Sequence, residues 1–227
     1  MVGFYVVATP LAALVMFPYM WISGDVEHLY RVGTWIGIAG ARLAGVRIRL
    51  IGADRFDPHG TYIFMSNHVS NLDPPVIIPS LPQRVSVLAK ASLFRIPIMG
   101  YAMKKASLVP VERHDRTAAI QSIHAAAEVL RHGLSVMIFP EGTRSRTGEL
   151  LPFKKGPFYL AEESGAPIVP ITIRNTDQLM PKGKFILRPG EAVVVFHKPI
   201  QPQEFADREQ LMTAVRRAIA SGMESGV

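Results

Sequence analysis

From Val46 onward, short runs rich in β-branched and aromatic residues alternate with longer stretches of helical period, and this alternation narrows the fold more than any other feature. The runs cover residues 46–50, 61–66, 84–89, 107–111, 134–139, 167–173 and 192–197. Val46-Arg47-Ile48-Arg49-Leu50 alternates with period two, the pattern of a half-exposed strand. Thr61-Tyr62-Ile63-Phe64-Met65, bounded by Pro58-His59-Gly60, reads as a buried one. The clearest helix takes Asp115 as its N-cap, places Ile120, Ile123, Ala127 and Leu130 on one stripe, and stops at Gly133. A closing amphipathic helix over roughly 203–221 turns Phe205, Leu211, Met212, Val215 and Ile219 inward, with Arg208, Arg216 and Arg217 mostly outward. Strands that alternate with helices predict an α/β fold: a largely parallel central sheet of about seven strands, flanked by helices.

Parallel pairing has a consequence for ligands, which in open α/β sheets bind outside the carboxyl ends of the strands. Three polar stretches, 67–73, 112–113 and 140–146, each follow a strand directly. They are therefore predicted to converge on one crevice.

The first of these begins Asn67-His68-Val69-Ser70-Asn71-Leu72-Asp73 and runs into Pro74-Pro75. On a continuous helix, residues five apart lie roughly 140° apart around the axis and do not meet. Pro74 restricts Asp73 to extended backbone angles and suits a first helical position, so residues 68–73 read as a loop that can turn Asp73 back onto the imidazole. A neutral imidazole, with a free pKa of about 6.5, can accept a proton from a substrate hydroxyl. A carboxylate on its other ring nitrogen fixes the tautomer and stabilises the imidazolium as it forms. No serine or cysteine nucleophile is then required. The competing reading makes Asp73 a plain N-cap for a helix beginning at Pro74, with Asn67, Ser70 and Asn71 as turn residues.

In the third stretch, Phe139-Pro140-Glu141-Gly142-Thr143-Arg144-Ser145, Gly142 permits close backbone approach and Thr143 and Ser145 offer hydroxyls. Arg144 presents a planar fork suited to phosphate, so the set suits an anionic oxygen ligand. The alternative is an ordinary turn with an Arg144–Glu141 salt bridge. Arg113, Lys104, Lys105, Lys154 and Lys155 are further candidates for the same anion, each equally readable as a solvated charge. His28, His59, His114, His124, His132 and His197 lack a partnered motif and read as structural or surface residues. The absence of cysteine excludes a disulfide framework, a thiolate metal site and a cysteine nucleophile. No metal site is predicted.

Residues 2–23 carry no charged side chain and are long enough to cross ~30 Å of hydrocarbon as a helix, although Pro10 and Pro18 interrupt them. Gly24-Asp25 reads as a turn, and residues 26–45 as a second helix carrying Leu29, Val32, Trp35, Ile36, Ile38 and Ala39. The missing basic n-region argues against a cleaved signal peptide. Residues 1–45 are predicted to form a membrane-associated hairpin dipping into one leaflet, apart from a domain over 46–227; a helix pair packed on that domain is the alternative. In a spanning arrangement, Arg31, Arg42, Arg47 and Arg49 place the rest of the chain on the cytoplasmic face. A net charge of +7 calls for an anionic partner, and the apolar N-terminus favours a lipid surface over nucleic acid. No helix-turn-helix pattern or basic, aromatic-interleaved stripe supports the latter.

Taken in order, Asn67-His68 with Asp73, Val109-Pro110-Val111-Glu112-Arg113, Phe139 to Ser145, and Val169-Pro170-Ile171 resemble the four sequence blocks of the glycerolipid acyltransferases, most closely the bacterial lysophosphatidic acid acyltransferase branch. The resemblance spans residues 63–173. It implies transfer of a fatty acyl group from acyl-CoA or acyl carrier protein to the sn-2 hydroxyl of a lysophospholipid, with no metal or cofactor. On the matching positions it implies His68 as general base and Asp73 as its orienting partner. Arg113 and Glu141, Gly142, Thr143 and Arg144 would hold the acceptor's glycerol phosphate, and the block around Pro170 would serve the acyl-donor side. Glycerol-3-phosphate and other lysolipids stay open as acceptors, and a peripheral protein that binds anionic membranes without catalysis is the non-enzymatic alternative. Glu112 before Arg113 departs from the commoner form of the second block.

Overall fold

The computed structural model describes residues 2–96, 99–112, 116–181 and 186–224. Seven strands, β1 (Val46–Ile51), β2 (Ile63–Ser66), β3 (Val85–Lys90), β4 (Val109–Val111), β5 (Ser135–Ile138), β6 (Ile168–Arg174) and β7 (Gly190–Phe196), form one sheet in the order β1-β7-β6-β2-β5-β3-β4. Its helices are α1 (Val2–Ser23), α2 (Val26–Leu43), α3 (Asp73–Ile77), α4 (Met99–Lys105), α5 (Arg116–Arg131), α6 (Gly156–Ser164), α7 (Thr176–Leu179) and α8 (Arg208–Glu224). The α/β architecture with a largely parallel, helix-flanked sheet is the one the alternation predicts.

Strands β2 and β5 are buried along their whole length, as expected of parallel strands covered on both faces. Successive side chains point to opposite faces. Phe64 therefore joins Phe56, Val76, Ile77 and Phe196 in the core beneath α2 and α3. Its neighbours Ile63 and Met65 join Phe158, Leu160, Val215 and Ile219 beneath α5, α6 and α8.

One pair departs from parallel: β6 and β7 are antiparallel, and β1 pairs parallel to β7. The reversal carries the amino ends of β1 and β7 to the rim where β2, β5 and β6 end. That rim is the catalytic rim described below.

Two helix readings are corrected. On α5, Ile120 is exposed, and the core-facing stripe is Ile123, Ala126, Ala127 and Leu130; the proposed cap Asp115 lies outside the described residues. The closing helix begins only at Arg208, after a short 3-10 turn over Pro202–Glu204. Arg216 on it is not simply solvated, because its guanidinium donates to the carbonyls of Leu150 and Leu151 and ties α8 to the loop after β5.

The N-terminal helices form a hairpin. Gly24, at φ +70°, reverses the chain, and Asp25 caps α2 by accepting from the His28 N–H. Met20, Ile36 and Ala41 are buried, while Leu14, Val15, Trp21, Ile22 and Trp35 are exposed. Pro10 and Pro18 lie inside α1. Among the described residues, no helix is long and apolar enough to cross a membrane.

At the far end of β7, His197 Nε2 donates to Thr172 Oγ1 (2.9 Å), whose hydroxyl donates to the Ile219 carbonyl (2.6 Å). This relay locks α8 onto the sheet. Burial, with a smaller contribution from the Arg55 charge, lowers the pKa of His197 from 6.5 to about 4. Between these values the unfolded chain binds the extra proton, so the stability that the neutral ring contributes is complete above about pH 6.5 and is lost as the pH falls toward 4. The melting temperature is expected to drop between about pH 7 and about pH 4.5. It should drop less in His197→Gln, whose amide can still donate to Thr172 but does not titrate. Equal losses in the two proteins, by differential scanning fluorimetry, would rule out this relay as an acid-sensitive element.

Candidate active site

The ladder of β2 does not stop at Ser66. The Asn67 side chain extends it, Nδ2 donating to the Ile173 carbonyl (2.9 Å) and Oδ1 accepting from the Ile173 N–H (2.8 Å). The chain then curls, and Asp73 enters the first turn of α3. Its carboxylate does not cap that helix, whose N-cap is Leu72 with no side-chain hydrogen bond. Instead Asp73 Oδ2 points back and accepts from His68 Nδ1 (2.7 Å), Val69 N (2.8 Å) and Ser70 N (2.8 Å). The plain N-cap reading is thereby excluded. Asp73 Oδ1 accepts from the Thr176 hydroxyl at 2.5 Å.

This arrangement sets the chemistry of the ring. An oxygen that already receives two backbone N–H groups presents lone pairs to the imidazole, so Nδ1 carries the hydrogen and Nε2 keeps its lone pair. The Phe139 ring stacks on the imidazole with centroids 4.1 Å apart and planes 21° from parallel, which holds its tilt. From 66 to 70 the chain is buried except at His68, whose side chain keeps 16% exposure against 0% for Asp73. The open member of this stretch is thus a base with its other ring nitrogen turned from the carboxylate.

The loop after β5 is stitched to the same histidine. Glu141 Oε1 accepts from the His68 N–H (2.7 Å), and the His68 carbonyl accepts from Ser145 N (2.8 Å). Glu141 Oε2 accepts from Leu151 N (2.9 Å). Glu141 is 2% exposed, and burial raises its carboxyl pKa above the usual range, opposed by those two N–H donors. The residue read as a candidate substrate ligand is therefore an internal brace. Gly142 takes φ +70°, and its N–H closes a turn onto the Phe139 carbonyl. Thr143 is exposed and Arg144 half-buried. Ser145 is 3% exposed, and its hydroxyl has no hydrogen-bond partner. A buried hydroxyl without a protein partner can donate to water or to a ligand.

The other candidates fare differently. Lys104 and Lys105 end α4 close to Ser107, whose carbonyl accepts from Ser86 near the start of β3. They are exposed, Lys105 lies over the Tyr101 ring, and the fold sets both apart from the catalytic rim. Lys155 pairs with Glu209 (2.8 Å), whereas Lys154 is exposed beside Gly142. Arg113 lies outside the described residues. Of the three stretches expected to converge, 67–73 and 140–146 meet, while Glu112 follows β4, the edge strand of the sheet. Among the described residues, no three His, Asp or Glu side chains assemble a metal site. Sequence reasoning missed Thr176, the Asn67 bracket and the Phe139 stack. Only the sheet order brings Thr176, just after β6, to the rim where the other two loops lie.

A family model described as Acyltransferase matches residues 47–174. A chloroplastic 1-acyl-sn-glycerol-3-phosphate acyltransferase of Brassica napus is 39% identical over 162 residues, 71% of this chain and 46% of that protein. A 1-acyl-sn-glycerol-3-phosphate acyltransferase of Borreliella burgdorferi is 32% identical over 187 residues, covering 81% of this chain and 74% of its own. The chain spans about half the length of several plant and algal relatives it matches. The crystal structure of the 1-acyl-sn-glycerophosphate (LPA) acyltransferase PlsC from Thermotoga maritima aligns with a TM-score of 0.82 at 27% identity, over 97% of this chain and 92% of that one.

If Glu141 is a brace, Glu141→Gln exchanges one of its two buried acceptors for a donor facing an N–H. A loss of about 1–3 kcal/mol in unfolding free energy is expected. Urea denaturation measures it, and an unchanged midpoint would show that the carboxylate is not holding the two loops.

Proposed function

The chain belongs to the acyltransferase family, and from that premise we propose that it moves a fatty acyl group from acyl-CoA or acyl carrier protein to the free sn-2 hydroxyl of lysophosphatidic acid, giving phosphatidic acid. The observation that carries this reading is an imidazole with Nε2 open, oriented by Asp73 and joined through its own backbone to the Arg144–Ser145 loop. His68 Nε2 takes the proton from the acceptor hydroxyl as its oxygen attacks the thioester carbonyl. The C–O bond forms, the C–S bond breaks, and the departing thiolate takes that proton from the imidazolium. Arg144 binds the acceptor phosphate as a charge-assisted fork, with Gly142 and Thr143 beside it and the unpaired Ser145 hydroxyl as a further donor. Arg113 is proposed for the same phosphate from its place in the second block. Holding the head group converts the attack into a positioned, effectively intramolecular step. No metal or cofactor is required by this sequence of events.

We further propose that the protein works on a membrane surface, on the cytoplasmic face, with the hairpin of α1 and α2 seated in one leaflet. Two features support this. Leu14, Val15, Trp21, Ile22 and Trp35 present apolar surface to the outside. Basic residues also gather at the catalytic rim, with Arg42 in the last turn of α2, Arg47 on β1, Lys90 and Arg174 at strand ends and Arg144 and Arg146 in the loop after β5, beside the acidic Asp177 and Glu191. A negative lipid surface attracts such a set.

Purified protein in detergent, given a labelled acyl donor and a panel of lysophosphatidic acid, glycerol-3-phosphate and other lysolipids, is expected to make phosphatidic acid. His68→Ala should lower the rate by about 10²–10⁴-fold. Arg144→Ala should raise the KM for lysophosphatidic acid about tenfold with a smaller effect on kcat. Wild-type turnover by His68→Ala, or acylation of every panel member except lysophosphatidic acid, would overturn the reading.

A further inference from the structure

The end of β6 and the segment that follows it grip the histidine-bearing loop at three points. Ile173 brackets Asn67 through both its N–H and its carbonyl, the Thr176 hydroxyl donates to Asp73 Oδ1 at 2.5 Å, and the Met180 carbonyl accepts from the Ser70 hydroxyl at 2.7 Å. The middle contact joins residues 103 apart in sequence, and both partners are completely buried. We infer that Thr176 is a positioning residue for the reaction proposed above, an inference that rests on that reading for its kinetic part alone.

The argument turns on which way a carboxylate can rotate. Asp73 Oδ2 is fixed from one side by two backbone N–H groups and meets the imidazole in the same cluster. Oδ1 has the Thr176 hydroxyl as its donor. With Thr176 present, only one rotamer about Cβ–Cγ satisfies every donor. Without it, Oδ1 is left as a buried acceptor without that partner, and the carboxylate gains a reason to tilt. The imidazole then loses the fixed direction of its Nδ1–H, and with it the aim of Nε2.

The chain accepts local strain to deliver this hydroxyl. Asn175 takes φ +70°, uncommon for any residue with a side chain and best tolerated by asparagine, and its amide donates to the Glu191 carbonyl (3.1 Å). That turn directs Thr176 inward at the end of β6.

The test compares Thr176→Val, which keeps the shape and removes the hydroxyl, with Thr176→Ser, which keeps the hydroxyl. Thr176→Val is expected to lose about tenfold or more in kcat while the KM values of both substrates stay within about twofold, because aim rather than binding is lost. Thr176→Ser should recover kcat to within about threefold of wild type. If Thr176→Val does not fold, as judged by its melting temperature, Thr176→Ala takes its place. A second readout needs no turnover. The 15N imidazole resonances of His68, assigned by their absence in His68→Gln and recorded near pH 8, should report one dominant Nδ1–H tautomer in wild type and Thr176→Ser, and a mixture in Thr176→Val. A wild type inactive on every lysolipid would defeat the proposed reaction but leave the tautomer comparison standing. Wild-type kcat in Thr176→Val, or a tautomer that does not change when the hydroxyl is removed, would overturn the positioning role.

Discussion

Asp73 has no exposed surface, and a carboxylate so placed is tolerated only while donors surround it. Four do: the His68 ring, the Val69 and Ser70 amides, and the Thr176 hydroxyl. This requirement shapes the loop. The two amides can reach one oxygen only if the chain curls tightly between Asn67 and Asp73, and that curl is what presents the imidazole with Nδ1 inward and Nε2 outward. Stability and chemistry here share one cause. The hydrogen bonds that make burial of the charge acceptable are those that set the tautomer.

The sheet supplies the rigid frame on which this curl is mounted. Asn67 is bracketed to β6, the His68 backbone to the loop after β5, and Asp73 to the segment after β6, so three chain segments that end at one rim fix one side chain. Sites carried on strand ends hold their geometry better than sites on free loops. Reversal of β1 and β7 adds the end of α2, with Arg42, to the same rim, so the helical hairpin reaches the rim that carries the site. The brace at Glu141 and the tie from Arg216 to Leu150 and Leu151 hold the arginine-bearing loop against this frame from behind.

Much of this was legible in the chain because apolar runs locate strands whatever their partners. The runs at 46–50, 134–139 and 167–173 mark β1, β5 and β6 to within a residue or two. Strand direction is another matter. Ala192 to Phe196 is buried throughout, and such a run reads the same whether its neighbour is parallel or antiparallel. The meeting of His68 and Asp73 was legible from the loop reading of this stretch, although Asp73 is the first residue of α3 and not the extended residue that Pro74 was expected to impose. The inward role of Glu141 was not, since it depends on an amide ten residues further on. Thr176 carries no local signal at all: a threonine beside an asparagine after a strand is ordinary turn chemistry until the sheet order puts it against Asp73. On α5, Ile120 has the right spacing for the core stripe but is 49% exposed, because the stripe is set by what α5 packs on rather than by period alone.

The most direct test of the central claim, that Asp73 acts by orienting His68, is the single-turnover rate of acyl transfer in Asp73→Asn measured beside its affinity for lysophosphatidic acid. An amide in place of the carboxylate can turn a donor toward Nδ1 and reverse the tautomer, which in a triad of this logic costs about 10⁴-fold in rate. The account predicts a loss on the order of 10³-fold or more in the chemical step with acceptor affinity nearly unchanged. A wild-type rate in Asp73→Asn, or a loss explained entirely by weaker acceptor binding, would contradict it.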